Sequence, residues 1–275
     1  MIIVAQWDFN SSPADANTRT GTTIPSLGSG SAASVGPVSQ LFFTGSPSDP
    51  GFRDNSGWSI SSFPRQGTEN KQEGIQFNVS TSGKRNIVIA WVQRVSPTAS
   101  RYSRLQYSTN GADFSDFASP VVLGDADTFE FQTINLVEIA GVNDNANFAY
   151  RIVTEFEATA IGTANNNYVT ASTSDYSTVG RLRFDMVTVS GEALAPALSS
   201  PNYSTNGDFR FDLAGASGAS YAVQASTNLT DWVSLGTNVP PFQFTDARAG
   251  IPPNRFYRAV YLPQWSQQVV LALHD

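Results

Sequence analysis

Apolar and polar residues alternate along much of this chain in short runs. Ile75-Gln76-Phe77-Asn78-Val79 shows the pattern, and so do residues 86–95, 104–108, 129–136, 148–156 and 181–189. A period of two, rich in β-branched and aromatic residues and bounded by Gly, Asn, Pro or Ser, predicts strands with one face on a core. No window carries a helical stripe of useful length; residues 137–140 suit a single helical turn. The opening Met1-Ile2-Ile3-Val4-Ala5 is too short and lacks the basic flank for a signal peptide, so it reads as a first strand. The expected fold class is all-β.

Near Gly191 the texture changes. Residues 192–201 hold the small residues and prolines of a linker. Residues 1–191 before it have the size of a two-sheet jelly roll, and 202–263 after it suit a small immunoglobulin-like or fibronectin-like β-sandwich. Residues 264–275 read as an extra strand or a tail. Two segments, 10–39 and 45–70, look like loops longer than a hairpin needs, and such loops tend to be functional. The second contains Arg53, Asp54, Trp58, Phe63 and Arg65.

Two stretches echo each other. In each, an alternating strand enters Ser-Thr-Asn, a turn follows, and an acid precedes an aromatic: Ser108-Thr109-Asn110 before Asp113-Phe114, and Ser226-Thr227-Asn228 before Asp231-Trp232. Ser and Asn side chains bond the backbone of turns, so the echo is read first as a shared corner, with duplication or a ligand loop as alternatives.

Residues 202–261 contain Gly207-Asp208-Phe209-Arg210-Phe211, Tyr221 through Trp232, Phe244-Thr245-Asp246 and Arg255-Phe256-Tyr257-Arg258. In that order they resemble the small C-terminal β-sandwich appended to many large secreted bacterial proteins. The first domain, by its size and its closing strand Gly180-Arg181-Leu182-Arg183-Phe184-Asp185-Met186-Val187, is similar to jelly rolls that serve as carbohydrate-binding modules. The low share of charged residues, 14%, with Ser, Thr, Asn and Gly crowding the segments between apolar runs, is the look of a secreted β-protein, so export to the medium or the cell surface is expected.

Composition narrows the chemistry. The chain has 275 residues, no cysteine, 14% charged residues and a net charge of −7. Nucleic acid requires a basic footprint, and an anionic membrane surface requires one too. No run reaches the ~18 apolar residues of a membrane span. The single histidine, His274, stands one residue from the end, so a Ser-His-Asp triad lacks a well-held base. Nucleotide and zinc motifs are absent.

Three readings stand: a secreted carbohydrate-binding or adhesion module, a polysaccharide-degrading enzyme, and a structural surface component. An enzyme of the glycosidase kind needs two carboxylates, and Glu155 with Glu157, two apart, would share one sheet face. A binding surface needs rings to stack on sugars and planar groups to fork-bond hydroxyls. Trp91, Arg94, Arg101, Tyr102 and Arg104 supply both in one segment. Tyr102, Arg104 and Gln106 are expected on one side of a strand, with Leu105 and Tyr107 inward; Arg151 and Trp58 complete the set. The alternative puts Trp91 and Tyr107 in the core and pairs the arginines with Glu155 and Glu157. A structural calcium is expected where the first and last strands of the jelly roll meet. There Asp8, Asn10 and Asp185 would give part of the six to eight hard oxygens that calcium takes, as the resemblance to calcium-bearing modules implies; the alternative is that Arg183 or Arg181 is the partner, or that both aspartates face water.

Overall fold

The structure is a computed structural model that describes residues 1–50, 54–216, 218–247 and 254–262. The chain divides into two compact units, Met1–Ala193 and Leu194–Asp275.

In the first unit the strands are β1 (Ile2–Trp7), β2 (Leu27–Gly28), β3 (Ser31–Val35), β4 (Ser39–Thr44), β5 (Ser56–Ser61), β6 (Gly74–Asn78), β7 (Lys84–Val95), β8 (Tyr102–Ser108), β9 (Ser115–Asp116), β10 (Val121–Val122), β11 (Phe129–Asn135), β12 (Ala149–Thr154) and β13 (Leu182–Ala193). One short helix, α1 (Glu157–Ile161), stands between β12 and β13. The strands form two antiparallel sheets. A seven-stranded sheet runs β11-β7-β13-β1-β2, with β5 added to β13 and β4 to β5; a six-stranded sheet runs β10-β8-β12-β6-β3, with β9 added to β8. This is a jelly-roll β-sandwich, and β1 lies beside β13 with Trp7 opposite Val187.

Inward residues of the two sheets interdigitate to make the core. Trp7, Trp58, Trp91, Phe77, Tyr150 and Phe184 are fully buried. Phe77 links the sheets, edge-on to Trp7 at 4.8 Å between ring centroids and stacked on Tyr150 at 5.0 Å. Each buried indole N–H is satisfied: Trp7 donates to the Thr23 carbonyl, Trp58 to Gln40 and Trp91 to Gln93. Burying such rings is the main favourable term in folding, and it requires these partners for the polar edge.

Several expectations are corrected. Residues 137–140 form a turn, with Ile139 N–H on the Leu136 carbonyl, and no helix. The helix falls instead at Glu157–Ile161, closed by Gly162 at φ 78°, whose N–H returns to the Ala158 carbonyl. The supposed loops hold strands β2, β3 and β5, whose Ser, Gly and Ala content hid them. Much of the supposed linker is strand, because Glu192 and Ala193 end β13 and the next strand begins at Ala197.

The second unit contains β14 (Ala197–Tyr203), β15 (Phe209–Ala214), β16 (Ser220–Ser226), β17 (Val233–Asn238), β18 (Phe242–Asp246) and β19 (Phe256–Leu262). Two three-stranded sheets, β14-β15-β18 and β17-β16-β19, enclose Phe211, Leu213, Tyr221 and Val223. Residues 264–275, and with them His274, lie outside the described residues. No described helix is long and apolar enough to cross a membrane.

Candidate functional site

The outer face of the six-stranded sheet is a continuous polar surface. Registers place Ala33 opposite Gln76, Gln76 opposite Arg151, Arg151 opposite Gln106, and Gln106 opposite Asp116. One row therefore crosses β3, β6, β12, β8 and β9. At about 4.8 Å between strands it spans about 19 Å, the length of several sugar rings. Alternation explains the segregation, since Ile75, Phe77, Tyr150, Ile152 and Leu105 point into the core between these polar neighbours.

The row is held rigidly. Arg151 donates Nε–H to Gln76 Oε1 at 2.7 Å, and Gln76 donates its amide to Asn78 Oδ1 at 2.9 Å. Asn78 in turn donates to Ser31 Oγ at 3.0 Å, and Gln106 to Asp116 Oδ1 at 2.9 Å. The Arg151 guanidinium lies 3.6 Å from the centroid of the Phe114 ring. Lys71 pairs with Asp116, and together with Gln106 it holds that carboxyl below its ordinary range against the opposing effect of burial.

Tyr102, Arg104 and Gln106 do share this side of β8, with Leu105 and Tyr107 turned to the core. Arg104, however, is buried. Its Nε and Nη2 grip both oxygens of Glu155 at 2.9 and 2.7 Å, its Nη1 reaches the carbonyls of Phe117 and Ala118, and Nη2 also reaches that of Thr159. All five donors are used, so Arg104 is a structural tie. Glu155 lies past the end of β12, fully buried. Glu157 opens α1 and accepts from Thr163 and Asn165. The two carboxylates thus share no sheet face, and Glu155 is locked in an ion pair.

The remaining candidates scatter. Trp58 and Trp91 are core residues and present no face to a ligand. Arg94 pairs with Asp127 at 2.6 Å. Arg101 stacks on Tyr102 and donates to the Leu123 carbonyl, while Tyr102 is buried with its hydroxyl 3.5 Å from Glu157. Arg53 lies outside the described residues. Of the seven binding candidates, Arg151 alone stands in the polar row. Gln106, expected on the outer side of its strand, also stands in the row, whereas Gln76, and beside the row Asn78 and Phe114, were legible only as strand or turn residues. The first unit does not display a row of rings: its one strongly exposed aromatic, among the described residues, is Phe131 on the other sheet.

A carboxyl pair went unnoticed in the sequence. Glu73 is buried, its Oε2 without a hydrogen-bond partner, at a cavity of about 400 Å³ lined also by Glu69, Arg65 and Phe63. Burial, then the neighbouring Glu69, pushes Glu73 up to about 7.

At the junction of β1 and β13, Asp185 is fully buried. Its carboxylate accepts the backbone N–H groups of Ser46 and Met186. Burial outweighs these bonds, and with Asp49 and Asp8 nearby it pushes Asp185 up to about 8. The amide oxygen Oδ1 of Asn55 is buried without a partner, and a Cβ placed on Gly45 would overlap both that oxygen and Asp185 Oδ2. Two acceptor oxygens therefore lie close to one point: Asp185 Oδ2 has the Ser46 N–H, and Asn55 Oδ1 has no donor. Asn10 does not join them: its amide donates to Asp49 and accepts from Ser56 N–H, while Asp8 caps the Asn10 N–H. Among the described residues no three acidic or histidine side chains gather as a metal cage.

No protein-family model matches this chain, and no curated protein does. Solved structures resemble it distantly. The CBM22-2 xylan-binding domain of Xyn10C from Paenibacillus barcinonensis is 12% identical, with 58% of this chain and 91% of that one covered, at a TM-score of 0.38. TmCBM61, solved with β-1,4-galactotriose, is 7% identical, covering 59% and 88%, at 0.34. The cleaved adhesin domain of Lys-gingipain from Porphyromonas gingivalis is 11% identical, covering 60% and 100%, at 0.32. At these scores none of the likenesses identifies a family.

Proposed function

We propose that the first unit is a non-catalytic carbohydrate-binding module of a secreted or cell-surface protein, and that a polysaccharide or cell-surface glycan lies along the Gln76–Arg151–Gln106 row. The observation that supports this is the row itself: amide and guanidinium planes on adjacent strands, fixed by their own hydrogen bonds. Such planes pair in a forked way with neighbouring hydroxyls. Because their rotamers are already set, binding costs little ordering entropy. With few open rings on this face, recognition rests on hydrogen bonds more than on stacking.

Affinity electrophoresis through gels containing soluble neutral polysaccharides tests the reading. Gln76→Ala and Arg151→Gln should each release retardation by about tenfold or more, the loss of one or two good polar contacts. Mobility equal to the parent in every gel would reject this face.

The proposal includes a structural calcium at the β1–β13 junction. Asp185 and Asn55 would hold it, with Asp8 and Asp49 adding negative charge. Bound there, a divalent cation supplies the positive charge that two converging buried oxygens lack.

A further inference from the structure

The echoed stretches are the same device down to their hydrogen bonds, and the device extends beyond the turn. In both units the order is Gln-x-Ser-Thr-Asn-x-x-Asp-aromatic, from Gln106 to Phe114 and from Gln224 to Trp232. Asn110 Oδ1 accepts the N–H groups of Ala112 and Asp113 at 2.9 and 2.8 Å; Asn228 Oδ1 accepts those of Thr230 and Asp231 at 3.0 and 2.9 Å. The asparagine amide donates to Asp113 in one unit and to Asp231 in the other. The returning strand then takes the same register, Gln106 opposite Asp116 and Gln224 opposite Ser234.

On the other side of each glutamine stands an arginine. Arg151 faces Gln106 and Arg258 faces Gln224. Arg258 lies 4.1 Å from the Trp232 ring centroid and donates Nε–H to Gln224 Oε1 at 2.8 Å. The indole is itself pinned by its N–H on the Leu229 carbonyl. Ring and amide thus fix the guanidinium plane. Among the described residues Arg258 has no carboxylate partner and its terminal nitrogens make no hydrogen bond. Phe256, two residues before it on β19 and so on the same face, is exposed.

We propose that Arg258, with Trp232, Gln224 and Phe256, is a second glycan-binding site, selective for a sugar that bears an oxyanion, either a carboxylate or a sulfate ester. An open guanidinium edge matches a two-oxygen anion in geometry and charge. The adjacent open ring of Phe256 supplies an apolar face for the sugar. A single open arginine can take one carboxylate or sulfate of an acidic polysaccharide, whereas nucleic acid, with a charge every ~1.7 Å, requires a basic track. The net charge of −7 does not prevent this, because at about 0.1 M salt charges more than about 10 Å away are screened. That the ligand is a glycan rests on the function proposed for the first unit; that it is anionic rests on Arg258.

The test uses the full chain and three probes in affinity electrophoresis at about 0.1 M salt: polygalacturonate, dextran sulfate and neutral xylan. Arg258→Gln should weaken retardation by at least one anionic polymer about tenfold while leaving xylan binding unchanged, and the polymer affected identifies carboxylate or sulfate. Arg258 is exposed, so its replacement should leave thermal melting unaltered, which excludes misfolding. Parental retardation of Arg258→Gln by both anionic polymers, or failure of the parent to bind either, would overturn the inference. Arg151→Gln in the same gels reports on the first unit separately, so failure there is not mistaken for failure at Arg258.

Discussion

Asp185 makes stability depend on pH in the direction opposite to that of most carboxylates. Its folded pKa is about 8, against an ordinary value of 3.8. Below about pH 4 both folded and unfolded chains hold the proton, and the group contributes nothing to pH dependence. Between 4 and 8 the folded chain retains a proton that the unfolded chain has shed, so stability falls as pH rises, and above about 8 the full penalty is present. The slope is about 1.4 kcal/mol per pH unit, so between pH 5 and 7 this one group removes on the order of 3 kcal/mol. For a unit of this size that lowers the melting temperature by roughly 6–12 °C.

The geometry says what the proton does: a neutral Asp185 carboxyl can donate to Asn55 Oδ1, the acceptor left without a partner. A calcium ion at the same point would replace the proton. Calcium at millimolar concentration should therefore raise the melting temperature at pH 7.5 and have little effect at pH 5, measured against EDTA. Asp185→Asn, which cannot titrate, should be less stable than the parent at pH 5, since its amide group cannot accept one of the two backbone N–H bonds. By pH 8 in EDTA it should match or exceed the parent. A parent and an Asp185→Asn variant whose melting curves shift in parallel from pH 5 to 8 would refute the reasoning about the group. Identical parent melting in calcium and EDTA at pH 7.5 would remove the ion.

Arg104→Ala should destabilise the first unit by about 3–5 kcal/mol, because it removes the two-pronged partner of the buried Glu155 carboxylate and leaves it only Lys71 at 3.8 Å; denaturant melting followed by tryptophan fluorescence reads it. Glu155→Gln should be destabilising for the same reason. Trp91→Ala should cost about 3–5 kcal/mol as a core cavity, and glycan affinity measured below the new melting point should not change. Glu73→Gln should flatten the pH dependence of the melting temperature between about 5 and 7, since the folded carboxyl titrates near 7 and favours the protonated form; an unaltered profile would count against the buried pair. Asn228→Ala should cost about 0.5–1.5 kcal/mol in the second unit, because the turn's two backbone N–H groups, exposed at the surface, exchange the side-chain acceptor for water.

The long strands were legible because alternation is a strong local signal. Residues 75–79, 86–95 and 129–136 became β6, β7 and β11 within a residue or two. Strands β3 and β5 were not, because Ser31-Ala32-Ala33-Ser34 and Ser56-Gly57-Trp58-Ser59 carry small residues whose strand state comes from pairing with β6, β4 and β13, partners remote in sequence. The binding candidates were misplaced for a related reason. An aromatic within a strand is more often buried than displayed, but only the second sheet decides which face is covered: Trp91 sits beneath it, whereas Arg151 stands on its outer side.

Glu155 shows the same limit in electrostatics. From the sequence, Glu155 and Glu157 look like a pair on a wet strand face, but β12 ends at Thr154 and α1 begins at Glu157, so the backbone between them turns one carboxylate inward and the other outward. The echo at Ser108 and Ser226 was visible as a corner, and the structure makes it one. What could not be read locally is the arginine across from each glutamine, supplied by a strand that follows later in the chain. A stiff turn alone explains Ser, Thr, Asn and Asp, whose bonds are all internal to it. It does not require the following residue to be aromatic, nor an arginine that has no carboxylate partner among the described residues to lie on that ring. Those two features recur together in two units whose remaining sequences differ, and they open to solvent rather than to either core. The corner therefore accounts for the shape of the repeat, and the open guanidinium accounts for what the shape presents.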